Sequence, residues 1–230
     1  MILIVAAMQE ELNSFKKYGD NIVEKKVDGI DVIELTIAKT SVILSLSGIG
    51  KINAAYTTTT LLNQYPIKLV INIGSAGGLQ ANQQVGDIVI ADIIKQHDLY
   101  FGEDTYERDN SEYFAYPDRG LINKAQVIGA KLGLNMHVGE IVSGDQFITH
   151  DGVDLKRIHT YFKDAMCVEM ESSAIGRVCN RRGVPFIVLR SLSDVPVKGD
   201  NELEFDTYLA LASKNSALFT YEFIKKIRGI

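Results

Sequence analysis

The chain has 230 residues, 46% of them hydrophobic, and a formal net charge of −5. That is enough apolar material for a full core, while net acidity without a basic stripe argues against nucleic acid as a partner. No apolar run approaches membrane-spanning length, so no membrane partner is expected. The two cysteines, Cys167 and Cys179, are expected as free thiols of a cytoplasmic protein rather than as a disulfide.

The first apolar run, Ile2–Ala7, lacks a basic leader and meets Gln9-Glu10-Glu11 at once, so it reads as a core strand rather than a signal peptide. A helix over Gln9–Tyr18 follows, with Glu10 complementing its dipole. Asn21–Thr40 reads as an antiparallel hairpin turning at Asp28-Gly29, with strands at Val32–Ile37 and Val42–Leu46. Ser47-Gly48-Ile49-Gly50-Lys51 is a Gly-rich strand-to-helix turn without the spacing of a phosphate-binding loop, so Lys51 is expected to be solvated. A helix over Lys51–Gln64 leads to a strand at Leu69–Ile73. A second turn is expected at Gly74-Ser75-Ala76-Gly77-Gly78, where glycines would let the backbone approach a ligand.

Asp87–Ile94 is the next strand. The long stretch Gln96–Arg119 has no regular pattern and is rich in Tyr, Phe and acids; such stretches are usually functional or interface segments. The pattern then runs through a helix at Gly120–Leu132, a strand at His137–Val142, a helix at Val153–Phe162, strands at Ala165–Val168 and Phe186–Leu189, a helix between them at Glu171–Arg181, and a final helix from Leu203 to Ile227. Strands alternating with helices predict an α/β fold: one three-layer domain over residues 1–230, with a twisted, mixed central sheet and helices on both faces. Several strands are continuous β-branched runs, as expected when both faces are covered.

Two acidic cassettes flank the last helix-to-strand connection. Val168-Glu169-Met170-Glu171-Ser172 and Leu189-Arg190-Ser191-Leu192-Ser193-Asp194 each end an apolar strand in carboxylates. Ligands of open α/β sheets bind at the carboxyl ends of strands, and burying Glu169, Glu171 and Asp194 together is costly unless the acids have a task. Between Val142 and Ile148, Phe147 stands beside backbone groups that could hydrogen-bond a heterocycle, although a Phe-Ile pair is core by default. His97, His137, His150 and His159 lack ligand-like spacing, so no metal is expected; His97-Asp98 reads as support for a site or interface. Gly74-Ser75-Ala76-Gly77 misses the spacing of a serine-hydrolase nucleophile elbow.

Six strings in order resemble the 5′-methylthioadenosine/S-adenosylhomocysteine nucleosidases, of the purine nucleoside phosphorylase-hydrolase fold. They are Ala7-Met8-Gln9-Glu10-Glu11, Ser47-Gly48-Ile49-Gly50-Lys51, Gly74-Ser75-Ala76-Gly77-Gly78, Val142-Ser143-Gly144-Asp145-Gln146-Phe147-Ile148, Val168-Glu169-Met170-Glu171 and Arg190-Ser191-Leu192-Ser193-Asp194. The resemblance implies that Asp194, with Ser193 beside it, is the general acid for adenine N7 and that Glu11 activates the water. A carboxylic acid still protonated near neutral pH is needed for that task, and burial beside other carboxylates raises a pKa. Arg190 and Ser75 help place the water, with Gly77 on the same turn. Glu171 accepts from the ribose hydroxyls and favours an oxocarbenium-like transition state. Met170 lines the sugar pocket, and Glu169 is either a second ribose ligand or the structural partner of Arg190. Phe147 stacks on adenine, the backbone of Ile148 reads its edge, and Met8, Ile49 and Phe205 form the slot for the 5′-thioether. The family needs no cofactor, takes a small adenine nucleoside as its partner, and forms homodimers.

A nucleoside phosphorylase of the same fold is the alternative enzyme. It calls for arginines on phosphate, where this chain has Asn72-Ile73 and Gln9-Glu10-Glu11. A non-catalytic nucleoside binder would have no need of Asp194 and Glu11. The chain departs from the family pattern at Gln9 and across Leu99–Arg119, which lacks the usual aromatic-Gly-Tyr-Gly-Gln run near the dimer interface. That departure leaves the 5′-substituent open, with 5′-deoxyadenosine and futalosine-type nucleosides as alternatives.

Overall fold

The computed structural model describes residues 1–100, 111–150, 152–198 and 201–227, with the backbone alone for 201–207. Nine strands form one sheet: β1 (Ile2–Ala6), β2 (Asp20–Val27), β3 (Ile30–Ile37), β4 (Thr40–Leu46), β5 (Leu69–Gly78), β6 (Ile88–Gln96), β7 (Met136–Ser143), β8 (Ala165–Glu169) and β9 (Phe186–Asp194). Among the described residues five α-helices connect strands, α1 (Gln9–Lys16), α2 (Lys51–Gln64), α3 (Arg119–Lys131), α4 (Val153–Tyr161) and α5 (Ser172–Arg182), and a sixth, α6 (Asn201–Lys226), follows β9. The expected mixed α/β sheet with helices on both faces is present.

The strand order is β2-β3-β4-β1-β5-β8-β7-β6-β9, and β9 also pairs in parallel with β5. Strands β5, β8, β7, β6 and β9 therefore close into a ring, from which β1, β4 and the β2–β3 hairpin extend as an open wing. The hairpin turns at Asp28-Gly29, both at positive φ (47° and 82°), the geometry of a tight turn that matches strand twist.

Period-2 alternation sorts the core onto the two faces. Ile2, Ile4, Ile71, Ile187 and Leu189 pack with Phe15 of α1, Leu121 of α3 and Phe219 of α6. Leu3, Val5, Val70, Val188 and Leu192 pack on the opposite face with Leu61 of α2 and Ile175 of α5. Each such buried aliphatic side chain contributes about 1.5–3 kcal/mol relative to exposure, so the strands have little freedom of register. Cys167 and Cys179 are buried free thiols on the second face, and burial raises the pKa of both.

Two strands run further than the sequence pattern suggests. Gly74–Gly78 is not a turn but the continuation of β5, because β9 and then β8 offer its backbone ladder partners. Likewise β9 continues past Leu189 to Asp194, carrying Arg190 and Ser193 on the strand itself. In the stretch from Gln96 to Arg119, residues 101–110 lie outside the described part. Ala115 bridges Ile94, and the backbone of Tyr116 is held by the Asn180 side chain.

Candidate active site

The carboxyl ends of β1, β5, β7, β8 and β9 surround a cavity of about 200 Å³. This is where ligands collect in α/β sheets. Every site residue proposed from the sequence lines it except Phe205, whose side chain lies outside the described residues. Ala7, Ala76, Gln146 and Val168 line it too. They are neighbours of the singled-out residues, and small or plain side chains carry no signal of their own.

Glu11 is the third residue of α1, and from there its carboxylate folds back over the helix start. Oε2 accepts the backbone N–H of Ala7 at 3.0 Å and of Met8 at 3.1 Å. Oε1 accepts from Ser75 N at 2.9 Å and Ser75 Oγ at 3.3 Å. Reaching back to the N-cap N–H is half of a capping box; here the same carboxylate also fastens α1 to β5.

Arg190 is fully buried beneath the cavity. Its Nη2 donates to Asn72 Oδ1 at 2.9 Å, to Glu171 Oε2 at 3.4 Å and closely to Glu169 Oε2, while Nη1 donates to Ile73 O at 3.3 Å. Its Nε has no partner among the described residues. Asn72, in turn, donates to Val5 O at 3.1 Å. The sequence singled out Asn72 only as the absence of a phosphorylase arginine; its contact with Arg190 depends on the β5–β9 register, which local patterning does not reveal.

Glu169 and Glu171 are two residues apart but differently placed. Glu169 accepts from the hydroxyls of Ser143 and Ser172, from the N–H groups of Glu171 and Ser172, and from Arg190. Burial pushes its pKa up, but Arg190 and these donors outweigh that and hold it below the usual carboxylate value. All these donors come from the protein, which supports the structural side of the alternative. Among the described residues Glu171 receives Gly50 N at 2.9 Å and the longer contact from Arg190, and no other donor. Burial, then the neighbouring Glu169, raises its pKa to about 7 against the opposing pull of Arg190. Its remaining acceptor capacity faces the cavity.

Asp194 is buried, and Ser193 Oγ donates to its Oδ1 at 2.8 Å. The β5–β9 register slips here, pairing Ala76 with Leu192 but Gly77 with Asp194, so Ser193 is an extra residue. Such a bulge re-aims side chains, and both Ser193 and Asp194 line the cavity. Phe147 is 49% exposed at the cavity edge, whereas Ile148 is core, so the expected default of a buried pair fails for Phe147 alone. Lys51 is not solvated as the sequence suggested. It lies 2.5 Å from Asp98 and 3.8 Å from Asp145, because the turn before α2 packs against the loop after β7. His97 is buried; desolvation, then Arg157 and Lys51 against the pull of Asp98, lowers it to about 4, leaving it neutral. Among the described residues no cluster of His, Cys, Asp and Glu could hold a metal ion.

A cavity ringed by carboxylates at these strand ends, with an aromatic at its edge, is the architecture of nucleoside-cleaving enzymes, and residues 1–225 match the phosphorylase superfamily. A 5′-methylthioadenosine/S-adenosylhomocysteine nucleosidase of Marinomonas sp. (strain MWYL1) is 36% identical over 229 residues, 98% of each chain. The S-adenosylhomocysteine nucleosidase of Streptococcus pyogenes, solved with 5-methylthiotubericidin, superposes with a TM-score of 0.91 at 30% identity, covering 98% of this chain and 96% of that one. A futalosine hydrolase of Helicobacter pylori strain 26695 superposes at 0.87 with 26% identity, covering 98% and 97%. The chain belongs to the 5′-methylthioadenosine/S-adenosylhomocysteine nucleosidase family.

Proposed function

We propose that this protein hydrolyses the N-glycosidic bond of 5′-methylthioadenosine and S-adenosylhomocysteine, releasing adenine and the thioribose. The observation that carries the reading is that Asp194, Glu11, Glu171 and Phe147, from four separate segments, line one cavity. Asp194 protonates adenine N7 as the base departs. The bond between C1′ and N9 breaks with its electron pair going to the base, and water held by Glu11 and Ser75 attacks C1′ from the opposite side, giving its proton to the carboxylate. Glu171 accepts from the ribose hydroxyls, and its charge favours the cationic sugar. Phe147 stacks on adenine, Ile148 reads its edge through the backbone, and Met170 lines the sugar pocket. Met8, Ile49 and Phe205 receive the 5′-thioether.

Hydrolysis is favoured over phosphorolysis because Arg190, the one cation lining the cavity among the described residues, is already engaged by Glu169, Glu171 and Asn72. Phosphate would also have to enter beside Glu11. Adenine release from 5′-methylthioadenosine in phosphate-free buffer tests the reading; release that requires phosphate would overturn it. Rates across 5′-substituted adenosines, with 5′-deoxyadenosine and a futalosine-type nucleoside included, test the 5′-preference.

The working unit is a homodimer in the cytoplasm, recycling adenine and thioribose toward methionine. Exposed Ile52 (82%) and Tyr56 on α2, with Tyr100 (58%) and Tyr116 in the β6–α3 connection, support a covered apolar face. Ile49 is half exposed at the cavity rim, as expected if a partner closes the 5′ end. Mass by light scattering tests the assembly, and a monomer at micromolar concentration would refute it. The buried free thiols are in keeping with a reducing compartment.

A further inference from the structure

Two consecutive amides at the start of α2 serve different halves of the cavity. Gly50 N–H donates to Glu171 Oε1 at 2.9 Å, while Lys51 N–H donates to Asp145 Oδ1 at 2.8 Å, two residues before Phe147. The Lys51 ammonium then lies 2.5 Å from Asp98 Oδ1 and 3.8 Å from Asp145 Oδ2, and Asp98 Oδ2 accepts Asp145 N–H at 2.9 Å. The three residues thus form a closed circuit. A side chain beside it would be strained: Gly50 has φ of +94°, and a Cβ there would stand 3.1 Å from Asp145 Oδ1.

The circuit continues into the loop after β7. His97 N–H donates to Ser143 O at 3.0 Å, and its imidazole packs so closely on Gly144 that a Cβ there would come within 2.2 Å of Nε2. The side chains of Lys51 and Asp98 are only 19% and 20% exposed, so their attraction is less screened than that of a surface pair. None of Lys51, Asp98 and Asp145 lines the cavity.

We propose that Lys51, Asp98 and Asp145 are positioning residues that fix the spacing between the sugar-facing carboxylate of Glu171 and the base-stacking ring of Phe147. The inference rests on the sugar and base assignments given above. Glu171 belongs to the β8–α5 junction and Phe147 to the β7–α4 loop, and the two amides of α2 bridge them. With the circuit broken, each half of the cavity still meets its half of the ligand. Engaging both at once then requires ordering the loop, a cost that appears in the affinity for the whole nucleoside.

The test compares Lys51→Met, Asp98→Asn and the double variant with the wild-type enzyme. Each single variant is expected to raise KM for 5′-methylthioadenosine about tenfold, with kcat and the affinity for free adenine within about threefold of wild type. The double variant is expected to be no worse than the poorer single one, since both break one circuit. Unchanged KM, equal losses for adenine and nucleoside, or additive losses in the double variant would each overturn the proposal. The wild-type control separates the readings: adenine release by wild type with unaltered variants removes the clamp alone, and no release by wild type removes both.

Discussion

Gly74 stands directly opposite Arg190 in the β5–β9 register, and a Cβ on Gly74 would come within 1.9 Å of Arg190 Nη1. The missing side chain is what allows a guanidinium to lie close against the strand and reach Glu169, Glu171 and Asn72 together. Its backbone is not in the left-handed region, so the requirement is one of space. Gly74→Ala is therefore expected to displace Arg190 and leave Glu169 as a buried, poorly compensated charge. Urea unfolding should show a loss of about 3 kcal/mol, the scale of a broken buried pair; a loss under 1 kcal/mol would mean that the guanidinium simply moves aside.

Asp194→Asn keeps the shape and the contact with Ser193 but removes the transferable proton. Turnover should fall by roughly 10²–10⁴, the usual worth of positioned proton transfer, while calorimetry still detects binding of 5′-methylthioadenosine. Turnover within tenfold of wild type would show that the leaving base gets its proton elsewhere.

Glu11→Gln should lower turnover by about 10²-fold with little change in adenine affinity. The amide keeps one acceptor oxygen, so it can satisfy Ser75 or the Ala7 and Met8 amides but not both. A drop in adenine affinity as large as the drop in rate would place Glu11 with the base rather than the water.

Glu171 titrates at about 7, above its ordinary value, because burial and Glu169 oppose its charge. Its contribution to stability is full below the unfolded value near 4.5 and is lost as pH rises toward and through about 7. Activity runs the other way, since the ionised form is the one that favours a cationic sugar. The acidic limb of kcat/KM should bend near pH 7, and Glu171→Gln should remove that bend along with most of the rate. A limb unchanged in Glu171→Gln would assign it to another group.

Phe147→Ala should weaken adenine binding by about 1–3 kcal/mol, as for base stacking on aromatics elsewhere. The ring is half exposed, so unfolding free energy should barely move. An equal loss in stability would return Phe147 to a packing role.

Much of the sheet was legible because strands such as β1, β5 and β9 are buried almost throughout and bounded by Gly, Pro and charged clusters; the exposed β2 was legible only through its hairpin, from the Asp28-Gly29 dipeptide. The ends of β5 and β9 were not. Gly74–Gly78 has the composition of a turn, and only the long-range pairing with β9 and β8 makes it a strand. Among site residues, the resemblance singled out nearly all of those that line the cavity, yet the division of labour between Glu169 and Glu171 depended on Ser143 and Ser172, which any loop might contain. Lys51 reads as solvated for the same reason: its partners Asp98 and Asp145 lie 47 and 94 residues away.

The closed ring of β5, β8, β7, β6 and β9 has a consequence for crowding. Every strand but β2 has a paired neighbour on both sides, so among the described residues β2 alone has one side wholly without a ladder partner. That margin is studded with Glu24, Lys25 and Lys26 and distorted by a bulge between Asp20 and Val23, both of which discourage strand addition. Even where addition succeeds, β2 joins once: two molecules meet edge to edge, and neither then has another wholly unpaired strand from which a fibril could grow.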